Sequence, residues 1–154
     1  MTDASMYEAY GPFVALLRNG QFSAPVDGWG AELIGAHIAR ATDHMADLVL
    51  DVISGETPAF DNRDDVEQSE LREYIDSRGG VNALADALDA SARQLSAVAS
   101  DLSDSQREVL IPVKLVDNGV VVVDQPIPLG ALLQTHVNLH LSGHFEQLSA
   151  LVSD

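Results

Sequence analysis

His37, His44, His136, His140 and His144 are the chain's five histidines. Neutral imidazole is a good ligand for Zn, Cu, Ni or Fe. His136, His140 and His144 are spaced by four residues, so on a helix each lies one turn above the last. At roughly 100° per residue the three make a slowly drifting stripe. Leu133, Val137, Leu148 and Leu151 fall within about a quarter-turn of His140 and His144 on the same wheel. The stripe therefore faces the core. Imidazoles buried in an apolar seam are costly unless each finds a partner. A divalent ion can be that partner, and so can a ladder of hydrogen bonds among histidines, carbonyls and carboxylates. The i, i+4 spacing lets two histidines of one helix reach one ion, as in helical zinc proteases.

His37 lies in the apolar sector of a different helix, close in angle to Ile34, Ala41 and Leu48. His44 comes two turns later at nearly the same angle, and spacing alone lets either face the last helix. The chain has no cysteine, which excludes disulfides, thiolate ligands and a cysteine nucleophile. Gly79-Gly80 reads as a turn, because no phosphate-binding pattern surrounds it. Glu146 and Gln147 could support ligands or accept a proton, although a solvated helix face suits Glu146. Tyr7, Tyr10, Trp29 and Phe60 could wall a pocket or simply pack.

The elements that must position these residues follow from periodicity. Residues 3–18 read as a short helix bent or interrupted at Pro12. Asn19 to Gly30 is a loop. Ala31 to about Ser54 is a long amphipathic helix, with Leu33, Ile34, Ile38, Ala41, Met45, Leu48 and Val52 on one face. Glu56 to Asp65 is a polar connection. A shorter helix holding Leu71, Tyr74 and Ile75 leads to Gly79-Gly80. A third long helix starts at Val81, carries Leu84, Leu88, Leu95, Val98 and Leu102, and ends near Ser103 to Arg107. The β-branched runs from Val109 and from Val120, separated by Asp117-Asn118-Gly119, predict a two-stranded hairpin. Pro112, Pro126 and Pro128 confine its strands to edges. Leu129 to about Val152 is the last long helix. The expected fold class is all-α: an up-down bundle with a small β-hairpin insertion before the last helix, forming one domain over residues 1–154.

Two segments carry a family resemblance. Pro25-Val26-Asp27-Gly28-Trp29-Gly30-Ala31-Glu32-Leu33-Ile34-Gly35-Ala36-His37-Ile38-Ala39 resembles the metal-binding domain of mycothiol-dependent maleylpyruvate isomerases. There a Trp follows a Pro-x-x-Gly-like turn, and a ligand His comes eight residues later, as Trp29 and His37 do here. His136-Val137-Asn138-Leu139-His140-Leu141-Ser142-Gly143-His144-Phe145-Glu146-Gln147-Leu148 resembles the last helix of the wider DinB-like family, with its His-x-x-x-His and following Gln. The resemblance implies a four-helix bundle holding one metal through one ligand on the second helix and two on the last. It implies that His37, His140 and His144 are the ligands, that His44 is not, and that His136 supports them or walls the pocket. The isomerases tend to use a carboxylate where His140 stands, so the three-His set is closer to the DinB-like enzymes.

Three protein ligands leave a coordination position open, the arrangement of a catalytic site. The expected cofactor is a divalent metal ion, zinc first, with nickel or iron as alternatives. The resemblance implies a low-molecular-weight thiol cosubstrate, of mycothiol or bacillithiol type, transferred to a small electrophile. A metal-dependent hydrolase on the same site, or a metal-binding or dimerising module without catalysis, are the alternatives. The net charge of -16 repels nucleic acid and anionic membrane and favours solubility. The expected partner is a small-molecule substrate, with homodimerisation as a further expectation. Met1-Thr2-Asp3-Ala4-Ser5 has no basic region, and no apolar run follows. With no membrane span in the sequence, a cytoplasmic location is expected.

Overall fold

A computed structural model of the protein describes residues 3–153. Met1, Thr2 and Asp154 lie outside the described residues, so the reading of the extreme N-terminus falls partly outside them too. The expected first helix is two, α1 (Asp3–Ala9) and α2 (Gly11–Asn19). The break falls at Tyr10, and Pro12 sits in the first turn of α2. A proline there gives up no helical hydrogen bond. The long amphipathic helix is α3 (Ala31–Ile53). A two-residue strand β1 (Phe60–Asp61), a single turn α4 (Arg63–Val66) and α5 (Gln68–Ser77) follow. A 3-10 turn at Val81–Ala83 opens α6 (Leu84–Ala99). α7 (Asp104–Arg107) is capped by Ser103 and Gln106 in a reciprocal capping box. Strands β2 (Leu110–Asp117) and β3 (Val120–Pro128) then lead into the last helix.

The structure is mostly helical with a small three-stranded sheet. Among the described residues, no helix is long and apolar enough to cross a membrane. α3 packs against α5 and α6 and against the last helix. Gly35 allows a close approach to α2 and α6: a Cβ there would meet methyl groups of Leu17 and Leu84 at 3.0 Å.

The last helix is not a uniform α-helix. It runs as α8 (Leu129–Thr135), a π-helical turn over His136–His140, and α9 (Leu141–Ser149). It ends earlier than the periodicity suggested, and Val152 instead bridges to Phe22. π-turns are rare, occur mostly as single turns inside α-helices, and are frequent at functional sites. This one coincides with a seam in the core. One apolar cluster includes Met45, Val49, Leu95, Leu132 and Val137. The other includes Ile34, Ile38, Leu88, Leu141 and Leu148. They part along α3 between Ala39 and Met45, and along the last helix between Val137 and Leu141. The buried polar residues His37, Thr42 and His136 lie at or beside this seam.

The hairpin forms as its turn dictates. Asn118 and Gly119 both take positive φ, 50° and 79°, as a two-residue hairpin turn requires. Val122 is an extra residue in β3, since Leu115 pairs with Val123 but Val116 with Val121. The sheet is larger than the expected hairpin, because β1 adds in parallel to β2 through Phe60↔Val113 and Asp61↔Lys114. β2 is therefore the central strand, and Pro112 is not on an edge strand. It is tolerated because it lies outside the two-residue stretch paired with β1 and faces Pro126 across the hairpin. Neither proline has an N–H to place in the ladder. Asn62 extends the β1 contact with its side chain, donating to the Val116 carbonyl at 3.1 Å and accepting from the Val116 N–H at 2.7 Å.

Gly35 gives a direct test of the α2–α3–α6 packing. Gly35→Ala should be nearly neutral, since the helix-propensity gain of about 1 kcal/mol offsets the displacement of two leucine methyls. Gly35→Val should destabilise by about 1–3 kcal/mol through overpacking. Urea unfolding of the two variants checks this; equal midpoints would contradict the close approach.

Candidate metal centre

His37 is buried on α3, with 3% of its surface exposed. Its Nδ1 lies 2.6 Å from the backbone carbonyl of Asp65. A carbonyl only accepts, so Nδ1 carries the proton and Nε2 presents a lone pair. Asp65 reaches this place because β1 and Asn62 fasten the preceding chain to β2. Its own carboxylate is fully buried. Oδ1 accepts from Arg40 Nε at 3.1 Å, and Oδ2 meets His44 Nδ1 at 2.9 Å. The choice that spacing left open is thus resolved in the structure. His37 joins the cluster on the last helix, whereas His44 pairs with Asp65, whose hydrogen bond holds the His44 pKa above the usual value.

The last helix supplies the remaining rings. His144 Nδ1 meets Gln147 Oε1 at 2.7 Å; an amide oxygen only accepts, so His144 also presents Nε2. His140 Nδ1 lies 3.1 Å from His136 Nδ1. His136 Nε2 lies 2.9 Å from the Tyr10 hydroxyl, and Tyr10 lies 3.0 Å from Thr42 Oγ1. Thr42 donates to the Ile38 carbonyl at 2.7 Å. Read back from that carbonyl, one order gives each contact of the row from Ile38 to His140 a proton. Thr42 donates to Ile38, Tyr10 to Thr42, His136 Nε2–H to Tyr10, and His140 Nδ1–H to His136. His140 Nε2 is then a lone pair.

One ring nitrogen from each of His37, His140 and His144 lies within 4.8 Å of the other two, so these three could hold a metal ion. His37 Nε2 and His140 Nε2 are 2.7 Å apart. In the proton order just given, two lone pairs face each other there, which is repulsive unless a cation lies between them. A proton is a poor candidate. Burial, with neighbouring histidines adding to it, lowers the His37 pKa to about 4 and the His140 pKa to about 2. A metal ion accepts both lone pairs, so the donor set fits one. The opposite order, with His140 Nε2–H donating to His37, closes the gap without metal. It leaves the Tyr10–Thr42 contact without a proton, because both hydroxyls then donate elsewhere.

Of the other residues singled out in the sequence, Trp29 lies tilted against His37, with ring centroids 5.2 Å apart. Phe60 lines a cavity behind the histidines. Tyr10 is a hydrogen-bonding member of the chain rather than only a wall. Tyr7 lies elsewhere, donating to Asp89 at 2.7 Å. Gln147 orients His144, and Glu146 is exposed. Sequence reasoning missed Asp65, Thr42 and Arg40. A signal existed: His37, Arg40 and His44 recur at i, i+3 and i+7 on an otherwise apolar face, and such a row requires a carboxylate opposite it.

The buried rings set a pH dependence for the metal-free protein. Burial lowers the pKa of His37, His136, His140 and His144, whereas the unfolded chain titrates near ~6.5. Below that value the unfolded state binds more protons, so stability rises with pH. It is fully present above pH ~6.5 and is lost as pH falls toward the folded value of about 4 for His37. His44 acts in the opposite sense, more weakly. Urea midpoints of chelator-treated protein should fall steeply between about pH 7 and pH 5, a window bracketing the unperturbed value. A flat profile would mean the rings are not buried as described.

Compared with protein-family models, curated proteins and solved structures, the chain matches none.

Proposed function

We propose that this chain is a metal-dependent enzyme of the DinB-like four-helix-bundle type, in which His37, His140 and His144 hold one zinc ion and a low-molecular-weight thiol is transferred to a small electrophile. The observation that carries it is the convergence of one ring nitrogen from each of three histidines, with the opposite nitrogens of His37 and His144 committed to the Asp65 carbonyl and Gln147 and that of His140 meeting His136. The tautomers fixed at His37 and His144 set those two ring orientations before any ligand arrives. In such a site the ion lowers the pKa of a bound thiol or water.

The cleft in front of the rings supports a polar cosubstrate. It has a volume of about 510 Å³ and is lined in part by Trp29, Asp117, Asn118, His144 and Gln147. The hairpin turn thus forms one wall of the cleft, with Asp117 and Asn118 beside the histidines. Asp117 raises the His144 pKa against the larger effect of burial, so its charge is felt at the site. Asp117 is the carboxylate lining this cleft, and we assign it as the acceptor of the thiol proton, which would leave sulfur as the nucleophile for an electrophilic carbon. The Asp65 carboxylate cannot serve, because Arg40 and His44 occupy both oxygens.

His37→Ala, His140→Ala and His144→Ala should each remove most of the metal measured in the purified protein, whereas His44→Ala should leave it near wild type. Cobalt-substituted wild type should show a sulfur-to-cobalt charge-transfer band with a small thiol, absent from His140→Ala. No band, with ester or amide turnover that needs no thiol, would assign the site to hydrolysis. Metal loss in His44→Ala but not in His37→Ala would contradict the ligand set.

A further inference from the structure

A second cavity, of about 130 Å³, lies behind the histidines. His37, His140, Asn62 and Leu115 border both it and the outer cleft. Its apolar wall comes from Ala41 and Met45 of α3, Phe60 of β1, Leu115 of β2 and Leu132 of α8.

Its polar neighbours are engaged, apart from the His37 and His140 Nε2 lone pairs, which a bound zinc ion would take. Both Asp65 carboxylate oxygens are taken by Arg40 and His44. Both ends of the Asn62 amide are bonded to Val116. Both His136 nitrogens are bonded, to His140 and Tyr10. Thr135 borders the cavity but is exposed. A charged group placed inside would lose its hydration and gain no new partner, which is strongly unfavourable. An uncharged hydrocarbon group would lose only unfavourable hydration. Dry cavities of roughly 150 Å³ accept benzene, so the volume suits a group of about ring size.

We propose that this inner cavity is the substrate subsite for a compact, uncharged apolar group, of about the size of a benzene ring, next to the electrophilic carbon. The word substrate rests on the thiol-transfer reading above; the selectivity of the cavity does not. The polar cosubstrate and the apolar substituent would enter from opposite sides of the wall that His37 and His140 share.

The test is thermal unfolding of the zinc-loaded protein with benzene, and with benzylammonium as the charged counterpart. Benzene at tenfold its Kd should raise Tm by about 4 °C, and benzylammonium should have no effect. Ala41→Leu fills the cavity from α3 and should abolish the benzene shift while retaining zinc. Leu115→Trp fills it from the half-buried side of β2 and gives the same reading should Ala41→Leu not fold. No benzene shift in wild type, an undiminished shift in the filled variants, or an equal shift with benzylammonium would each overturn the proposal. The benzene measurement repeated on chelated protein separates the two readings. A benzene shift without a cobalt–sulfur band means the cavity stands and the thiol-transfer reading fails.

Discussion

Every ring nitrogen buried in this protein has to be given a partner, and the fold is arranged around that demand. A buried imidazole with one unsatisfied nitrogen costs about 1–3 kcal/mol, and four of the five histidines here lie in one connected cluster. The apolar core divides in two to make room for them. Tyr10, Thr42 and the Ile38 carbonyl terminate the row on one side. The Asp65 carbonyl terminates it on another, and Gln147 on a third. The outcome is a set of three ring nitrogens that face one another, and in the proton order read back from the Ile38 carbonyl the protein supplies no donor between His37 and His140.

Two irregular features serve this arrangement. The π-turn at His136–His140 lies within the last helix, where Val137 packs with one cluster and Leu141 with the other. The small sheet holds the chain that carries Asp65. Asn62 acts as an extra rung on β2, and α4 begins immediately after it. Asp65 then orients His37 with its backbone and pairs with both Arg40 and His44 through its side chain. Breaking a buried pair of this kind by removing one partner commonly costs about 3–5 kcal/mol, so Asp65 bears on stability as well as on ring orientation.

Much of this was legible in the sequence because it is local. The i, i+4 histidines, the α3 periodicity and the Asn118-Gly119 turn each express a short-range geometric rule, and each appears in the structure at its place. What was not legible depends on distant partners. β1 is two residues long and exists only because β2, some fifty positions later, pairs with it in parallel. The same pairing made Pro112 part of a central strand. The π-turn leaves no mark in hydrophobic periodicity. The choice between His37 and His44 turned on which one met the Asp65 carbonyl and which its carboxylate, and that contact spans a connection that reads as featureless polar loop.

The coordination shell of the loaded protein tests the central claim most directly. X-ray absorption at the zinc edge reports the type and number of ligands around the ion. The account predicts three imidazole nitrogens at about 2.0–2.1 Å, the ordinary zinc–histidine distance, with the remaining position taken by a lighter oxygen donor or, with thiol present, by sulfur. A shell with two or fewer imidazoles, or one dominated by carboxylate oxygen, would contradict it.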